Sequence, residues 1–143
     1  MRFWDSSAIV PLLIREPTSS DMRALLHADV EILTSFITPV EVSSAIWRRL
    51  HNGELDAASH ADADEQFAAL SNNWSEADKL PQITEIALAL LTRHPLRAAD
   101  AIQLASAIDV VAEGEQKTSA LPFVTLDHDL ASAARAEGFP VLP

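Results

Sequence analysis

The sequence has no cysteine among its 143 residues. Disulfides and thiolate metal sites are therefore excluded, and a reducing compartment suits the chain. No apolar run approaches the ~20 residues that a membrane-spanning helix needs. An acid as early as Asp5 leaves no apolar leader ahead of it, so a cytoplasmic location is the expectation. Glycine is scarce, with three residues, and bases are outnumbered: 10 Lys and Arg against 21 Asp and Glu, a formal net charge of −11. Taken alone, that charge argues against a nucleic-acid partner, because phosphate backbones attract Lys and Arg. Such a partner stays compatible if the acids are dispersed over a solvated surface, or if some of them cluster around bound cations. Eight of the ten bases are Arg, the side chain better suited to bidentate phosphate contacts.

Core material, by contrast, is ample. Hydrophobic residues make up 48% of the chain, and its length matches the commonest single-domain size. One domain over residues 1–143 is expected, with no internal repeat, low-complexity run or long linker.

Arg2-Phe3-Trp4 reads as a short buried strand that stops at Asp5. Ser6-Ser7 leads into a helix over Ala8–Ile14, where Pro11 is tolerable only near the first turn, and Glu16-Pro17 closes it. A helix over Ser20–His27 and a strand over Val30–Ser35 follow. Thr38-Pro39-Val40-Glu41 reads as a helix start, with Thr38 as cap, Pro39 at the first helical position and Glu41 as capping-box partner. That helix runs to about Asn52, with Gly53 as its stop. Residues 54–73 read as helical, Ala-rich on one side and acidic on the other. Ile83, Ile86, Ala87, Leu90 and Leu91 have core-facing helical spacing. A helix over Ala98–Glu113, with Gly114 behind it, precedes a strand over Leu121–Leu126. Asp127 opens a last helix that ends at Gly138, and Pro140–Leu142 reads as an edge strand. All three glycines thus fall just past helices, where a left-handed residue is wanted. Strands separated by helices imply an α/β domain, its central sheet mostly parallel and flanked by helices on both faces.

In such a sheet the strand C-termini and the following helix N-termini share one edge, where ligands bind. Asp5 and Asp127 each end a strand and begin a helix. Glu41 lies in the first turn of the helix after the Val30–Ser35 strand, and Asp100 in the first turn of its own helix. Each acid has a plainer reading: Asp5 and Asp127 as N-caps, Glu41 as the partner of Thr38, Asp100 as a complement to a helix dipole. Three acids thus share one edge, and Asp100 joins them if its helix packs with the same polarity; together they would repel unless protonated or neutralised by a cation. An all-oxygen cluster suits Mg²⁺, with Mn²⁺ as a substitute. A metal-bound water is then a ready nucleophile for a phosphodiester.

The order Asp5-Ser6-Ser7-Ala8, Thr38-Pro39-Val40-Glu41-Val42, Leu96-Arg97-Ala98-Ala99-Asp100-Ala101-Ile102-Gln103-Leu104-Ala105 and Phe123-Val124-Thr125-Leu126-Asp127-His128-Asp129-Leu130-Ala131-Ser132-Ala133-Ala134 resembles a PIN domain. It most resembles the VapC-type toxins of bacterial toxin–antitoxin pairs, from Arg2 to about Val141. The resemblance implies a three-layer α/β fold, Mg²⁺-dependent endoribonuclease activity on RNA, homodimers and a cognate antitoxin. It further implies that Asp5, Glu41, Asp100 and Asp127 hold the metal, with Glu41 either a ligand or the general base. Ser6 and Thr125 match polar positions that line the site. Asp129 is an extra acid ranked below Asp127, which fits the Thr-x-Asp-x-x-Leu pattern. The stretch Glu54–Lys79 is the least family-like.

Arg48, Arg49, Arg93 and Arg97 flank the acid-bearing helices and are candidates for RNA phosphate contacts. No two of His27, His51, His60, His94 and His128 stand at i, i+4, so there is no helical zinc motif. His128 is read as exposed, and Trp4, Trp47 and Trp74 as core or interface anchors. Two competing functions remain. A phosphoaspartate phosphatase or receiver domain also uses an aspartate at a strand end, but Ser7 stands where the phosphatase pattern wants a second Asp. A non-catalytic PIN-like binding module fits the fold equally, although it would have no need of all four acids.

Overall fold

Successive side chains of a strand point to opposite faces, so a strand covered on both sides must be apolar on both. Strand β1 (Arg2–Trp4) meets this condition at the centre of the molecule. Phe3 belongs to the core on one face and Trp4 to the core on the other, each 0% exposed. In the computed structural model, which describes residues 1–143, α1 (Ser6–Leu13), α2 (Ser19–Ala28), β2 (Ile32–Ser35), α3 (Thr38–His51) and α4 (Ala57–Ser71) follow. Then come β3 (Ser75–Ala77), α5 (Leu80–Leu91), α6 (Ala98–Glu113), β4 (Phe123–Val124), α7 (His128–Ala136) and β5 (Val141–Leu142).

The strands form one sheet in the order β3-β2-β1-β4-β5, and every pairing is parallel. The sheet is therefore wholly rather than mostly parallel. Helices α5, α6 and α7 pack on Phe3 and Phe123 through Leu90, Leu104 and Leu130. On the other face α1, α3 and α4 pack on Trp4 and Val124 through Ile9, Ile46 and Ala63. From β1 the chain winds outward to β2 and β3, then returns to β4 on the other flank. The direction of winding switches between β1 and β4, and a crevice opens at their C-terminal ends.

Several local expectations change. Helix α1 begins at Ser6, so Pro11 lies in its second turn, where it cannot donate to the Ser7 carbonyl. The helix ends soon after, at Leu13. Thr38 does not cap α3: it is buried inside the helix, the N-cap is Ile37, and no side chain caps that end. Strand β3 was not read from the sequence, because Ser75-Glu76-Ala77 is polar and lies at a sheet edge where only Ala77 is buried. Strand β4 is two residues long, since its register partners in β1 are only Phe3 and Trp4. Gly53 (φ 74°) and Gly138 (φ 90°) take the left-handed conformation, whereas Gly114 (φ −78°) does not. After α6 that conformation falls to Glu115 (φ 51°). No helix is long and apolar enough to cross a membrane.

Candidate active site

The strand-to-helix junctions build one half of the crevice. Asp5 follows β1 and caps α1, its Oδ1 accepting from the Ala8 N–H at 3.3 Å and the Ser7 hydroxyl at 2.7 Å. Asp127 follows β4 and caps α7 in the same way, Oδ1 accepting from the Leu130 N–H at 2.8 Å. The plain reading of both as caps thus holds, and it is compatible with a second role, because a cap uses one carboxylate oxygen and leaves the other. Ser7 and Thr125 stitch the two junctions together. The Leu126 N–H donates to Ser7 Oγ at 2.9 Å, the Asp127 N–H donates to Thr125 Oγ1 at 3.0 Å, and the two hydroxyl oxygens lie 3.4 Å apart. Ser7 did not stand out in the sequence. Its only signal was its place two residues after Asp5, suited to a local Asx-type hydrogen bond.

The other half comes from helix first turns. Glu41 on α3 is half-buried and accepts at Oε2 from the Gln103 amide at 2.6 Å. That amide also donates to Thr38 Oγ1 at 2.9 Å. Asp100 lies in the first turn of α6, after Arg97 at the N-cap. The expected capping box between Thr38 and Glu41 does not form, because both side chains are taken up by α6. Gln103 falls within the Leu96–Ala105 stretch. Its helical spacing of three from Asp100 was the available signal.

Asp5, Glu41, Asp100 and Asp127 all line one open cleft of about 580 Å³, together with Ser6, Arg48, Arg49 and Arg97. Arg97 and Arg48 are exposed at its rim. Arg49 is committed to an ion pair with Glu16, which shares the cleft wall. Arg93 does not reach the cleft: it pairs with Glu137 at 2.8 Å beside His94, at the far end of α5. Thr125 is buried behind Asp127, and Asp129 is exposed in the first turn of α7. His128 is exposed and Trp4 is core, while Trp47 is 44% exposed on α3 beside buried His60, their rings 4.2 Å apart.

The electrostatics reflect carboxylates crowded away from water. Burial raises the Asp5 carboxyl from 3.8 to about 7, against the opposing hydrogen bonds from Ser7 and Ala8. Glu41 is raised by burial and then by the charge of Asp100, opposed by hydrogen bonds from Gln103 and Ser6. Asp100 is raised by burial, then by Asp127 and more weakly by Asp129, while Arg97 pulls it down. No three acids converge at ion-binding spacing. The donors are nevertheless all carboxylate oxygens in one cleft, so this is a donor set that fits a hard divalent cation such as Mg²⁺ or Mn²⁺.

The chain also has relatives among known proteins. The family profile of the PIN domain matches residues 2–136. Over 141 residues the chain is 30% identical to "Ribonuclease VapC45" of Mycobacterium tuberculosis, covering 99% of this chain and 94% of that protein. It is 32% identical over 146 residues to "Ribonuclease VapC47" of the same species, covering 97% and 93%. Among solved structures, FitAcB from Neisseria gonorrhoeae superposes with a TM-score of 0.69 at 17% identity, covering 100% of this chain and 97% of the other. The sarcin-ricin loop cleaving toxin VapC20 of M. tuberculosis superposes with a TM-score of 0.65 at 18% identity, covering 100% of both chains.

Proposed function

Because the chain belongs to the PIN domain family, we propose that it is a Mg²⁺-dependent endoribonuclease, the toxin of a toxin–antitoxin pair. One observation carries the reading: four acids from four different helix starts, distant in sequence, line a single cleft at the switch point of the sheet. Asp5, Asp100 and Asp127 hold the cation, with Glu41 beside them. When bound, that ion supplies an activated water and offsets charge on the scissile phosphate. Glu41 Oε2 is engaged by Gln103, which leaves Oε1 to take a proton from the attacking water. Arg97 and Arg48, free of ion pairs at the cleft rim, orient the RNA phosphates. The net charge of −11 makes RNA binding weak without divalent ions and assisted with them. Relatives named as VapC ribonucleases support an antitoxin partner. Leu80, Leu88 and Leu91 are large exposed hydrophobic residues on one helix, α5, which supports a homodimer. With no disulfide possible, a cytoplasmic site of action suits the chain.

The test is cleavage of total bacterial RNA by purified protein with Mg²⁺, with chelator, and with Asp100→Ala. Expression of both forms in bacteria, scored for growth and RNA integrity, runs alongside. Cleavage and growth arrest by the wild type alone, abolished by chelator, are the expected results. Mg²⁺-independent cleavage, or equal cleavage by Asp100→Ala, overturns the proposal.

A further inference from the structure

Gln103 is a buried amide in a position where packing alone would select an apolar side chain. It lies on α6 one turn beyond Asp100 and is 1% exposed. Its Nε2 is fully used, donating to Glu41 Oε2 at 2.6 Å and to Thr38 Oγ1 at 2.9 Å. Its Oε1 has no partner. The reverse amide orientation would set Oε1 against the Glu41 carboxylate oxygen, so the network fixes which way the group points. An orphaned buried carbonyl destabilises the fold, and a hydrocarbon side chain of similar volume would not. The gain must lie on the donor side.

That side leads through the site. Thr38 Oγ1 lies 2.7 Å from Thr34 Oγ1, and the Thr34 hydroxyl donates to the Trp4 carbonyl at 2.6 Å. Each hydroxyl has one hydrogen, so the chain runs in one direction, from the Gln103 amide through Thr38 and Thr34 to the residue before Asp5. All three of its side chains are buried.

We propose that Gln103 is a positioning residue, whose amide fixes the Glu41 carboxylate relative to Asp100 and, through Thr38 and Thr34, to the end of the strand that presents Asp5. The proposal rests on the metal-dependent nuclease reading above. Its logic is that of outer-shell partners: a carboxylate aimed at a cation works best when one of its oxygens is already held.

The test uses the full chain with Gln103→Met, which keeps length and volume but has no donor, and Gln103→Glu, which places an acid against Glu41. Three quantities are read: thermal stability without metal, Mn²⁺ affinity by electron paramagnetic resonance without RNA, and kcat and KM on RNA. Gln103→Met is expected to melt within a few degrees of wild type while Mn²⁺ affinity or kcat falls about 10- to 100-fold, with KM for RNA unchanged. Gln103→Glu is expected to lose at least as much at neutral pH. A large drop in melting temperature with Mn²⁺ affinity and kcat unchanged marks a purely structural residue and overturns the proposal, as does no change in any readout. If Gln103→Met fails to fold, Thr38→Val, which removes the amide's second acceptor, takes its place: Mn²⁺ affinity and kcat equal to wild type then overturn the proposal. Wild-type protein that binds Mn²⁺ but cleaves no RNA sinks the nuclease reading while the Mn²⁺ comparison still decides the role of Gln103.

Discussion

The two halves of the acidic cleft are held by different means. Asp5 and Asp127 sit at strand-to-helix junctions and are fixed locally, each capping the helix that it precedes. Glu41 and Asp100 sit within helix first turns and do not cap; Glu41 is fixed by a side chain 62 residues away. Under the proposed function the first pair therefore combines a cap and a chemical role in one carboxylate, whereas the second pair has no cap to keep. Mutations should separate the roles in the first pair and find nothing to separate in the second.

The largest effect is expected at Asp127. Asp127→Asn and Asp127→Ala should both lower RNA cleavage by about 100-fold or more, measured as kcat/KM. Only the alanine variant should also lose stability, about 1 kcal/mol, because Asn still caps a helix. Equal stability of the two variants would break the distinction between the halves.

Next is the pH dependence that Asp5 imposes. Its folded-state carboxyl lies at about 7, above its ordinary value of 3.8. Between those values the folded chain keeps a proton that the unfolded chain has released. The stability that this provides is full below the ordinary value and is lost as pH rises through about 7. Chelator-treated wild type should therefore melt at falling temperature across that window, and Mg²⁺ should restore the loss near neutrality. Asp5→Asn should remove the share of this dependence that Asp5 carries while lowering cleavage no further than Asp127→Asn does. A wild-type melting temperature that is flat across the window would contradict a buried carboxylate at Asp5.

A smaller effect is expected in the second half. Glu41→Gln and Asp100→Asn should leave metal-free stability unchanged or slightly raised, because each removes a repelling charge and no cap. Thermal melts check this, and a loss like that of Asp127→Ala would show that these acids also support their helices.

The smallest difference concerns the arginines. Arg97→Ala should weaken RNA binding and lower its salt slope by about 0.7, the loss of one single-strand phosphate contact. Arg93→Ala should leave cleavage within about twofold of wild type, since an exposed ion pair contributes little. Titration at several salt concentrations separates the two.

Much of this was legible because it was local. A strand ending in Asp, a Pro at a helix start and periodic apolar residues placed α3, α6 and α7 to within a residue or two. They also placed Asp5, Glu41 and Asp127 at one edge of a parallel sheet, with Asp100 conditional on the polarity of its helix; it does line the same cleft. What escaped was what neighbours decide. Strand β3 has no apolar alternation and exists through its register with Leu33, Thr34 and Ser35. Thr38 has the sequence of a cap, yet it is drawn into the core by Thr34 and Gln103. Arg93 flanks an acid-bearing helix but is claimed by Glu137.

The sequence by itself determined the fold class, the family and the four acids that meet in one cleft. Those follow from hydrophobic period, chain punctuation and residue type, each readable within a few positions. Only the tertiary structure decided which acid is buried, which arginine faces the cleft and which side chain steadies Glu41. Burial and hydrogen-bond partnership are properties of pairs brought together from distant parts of the chain, and no local pattern records them.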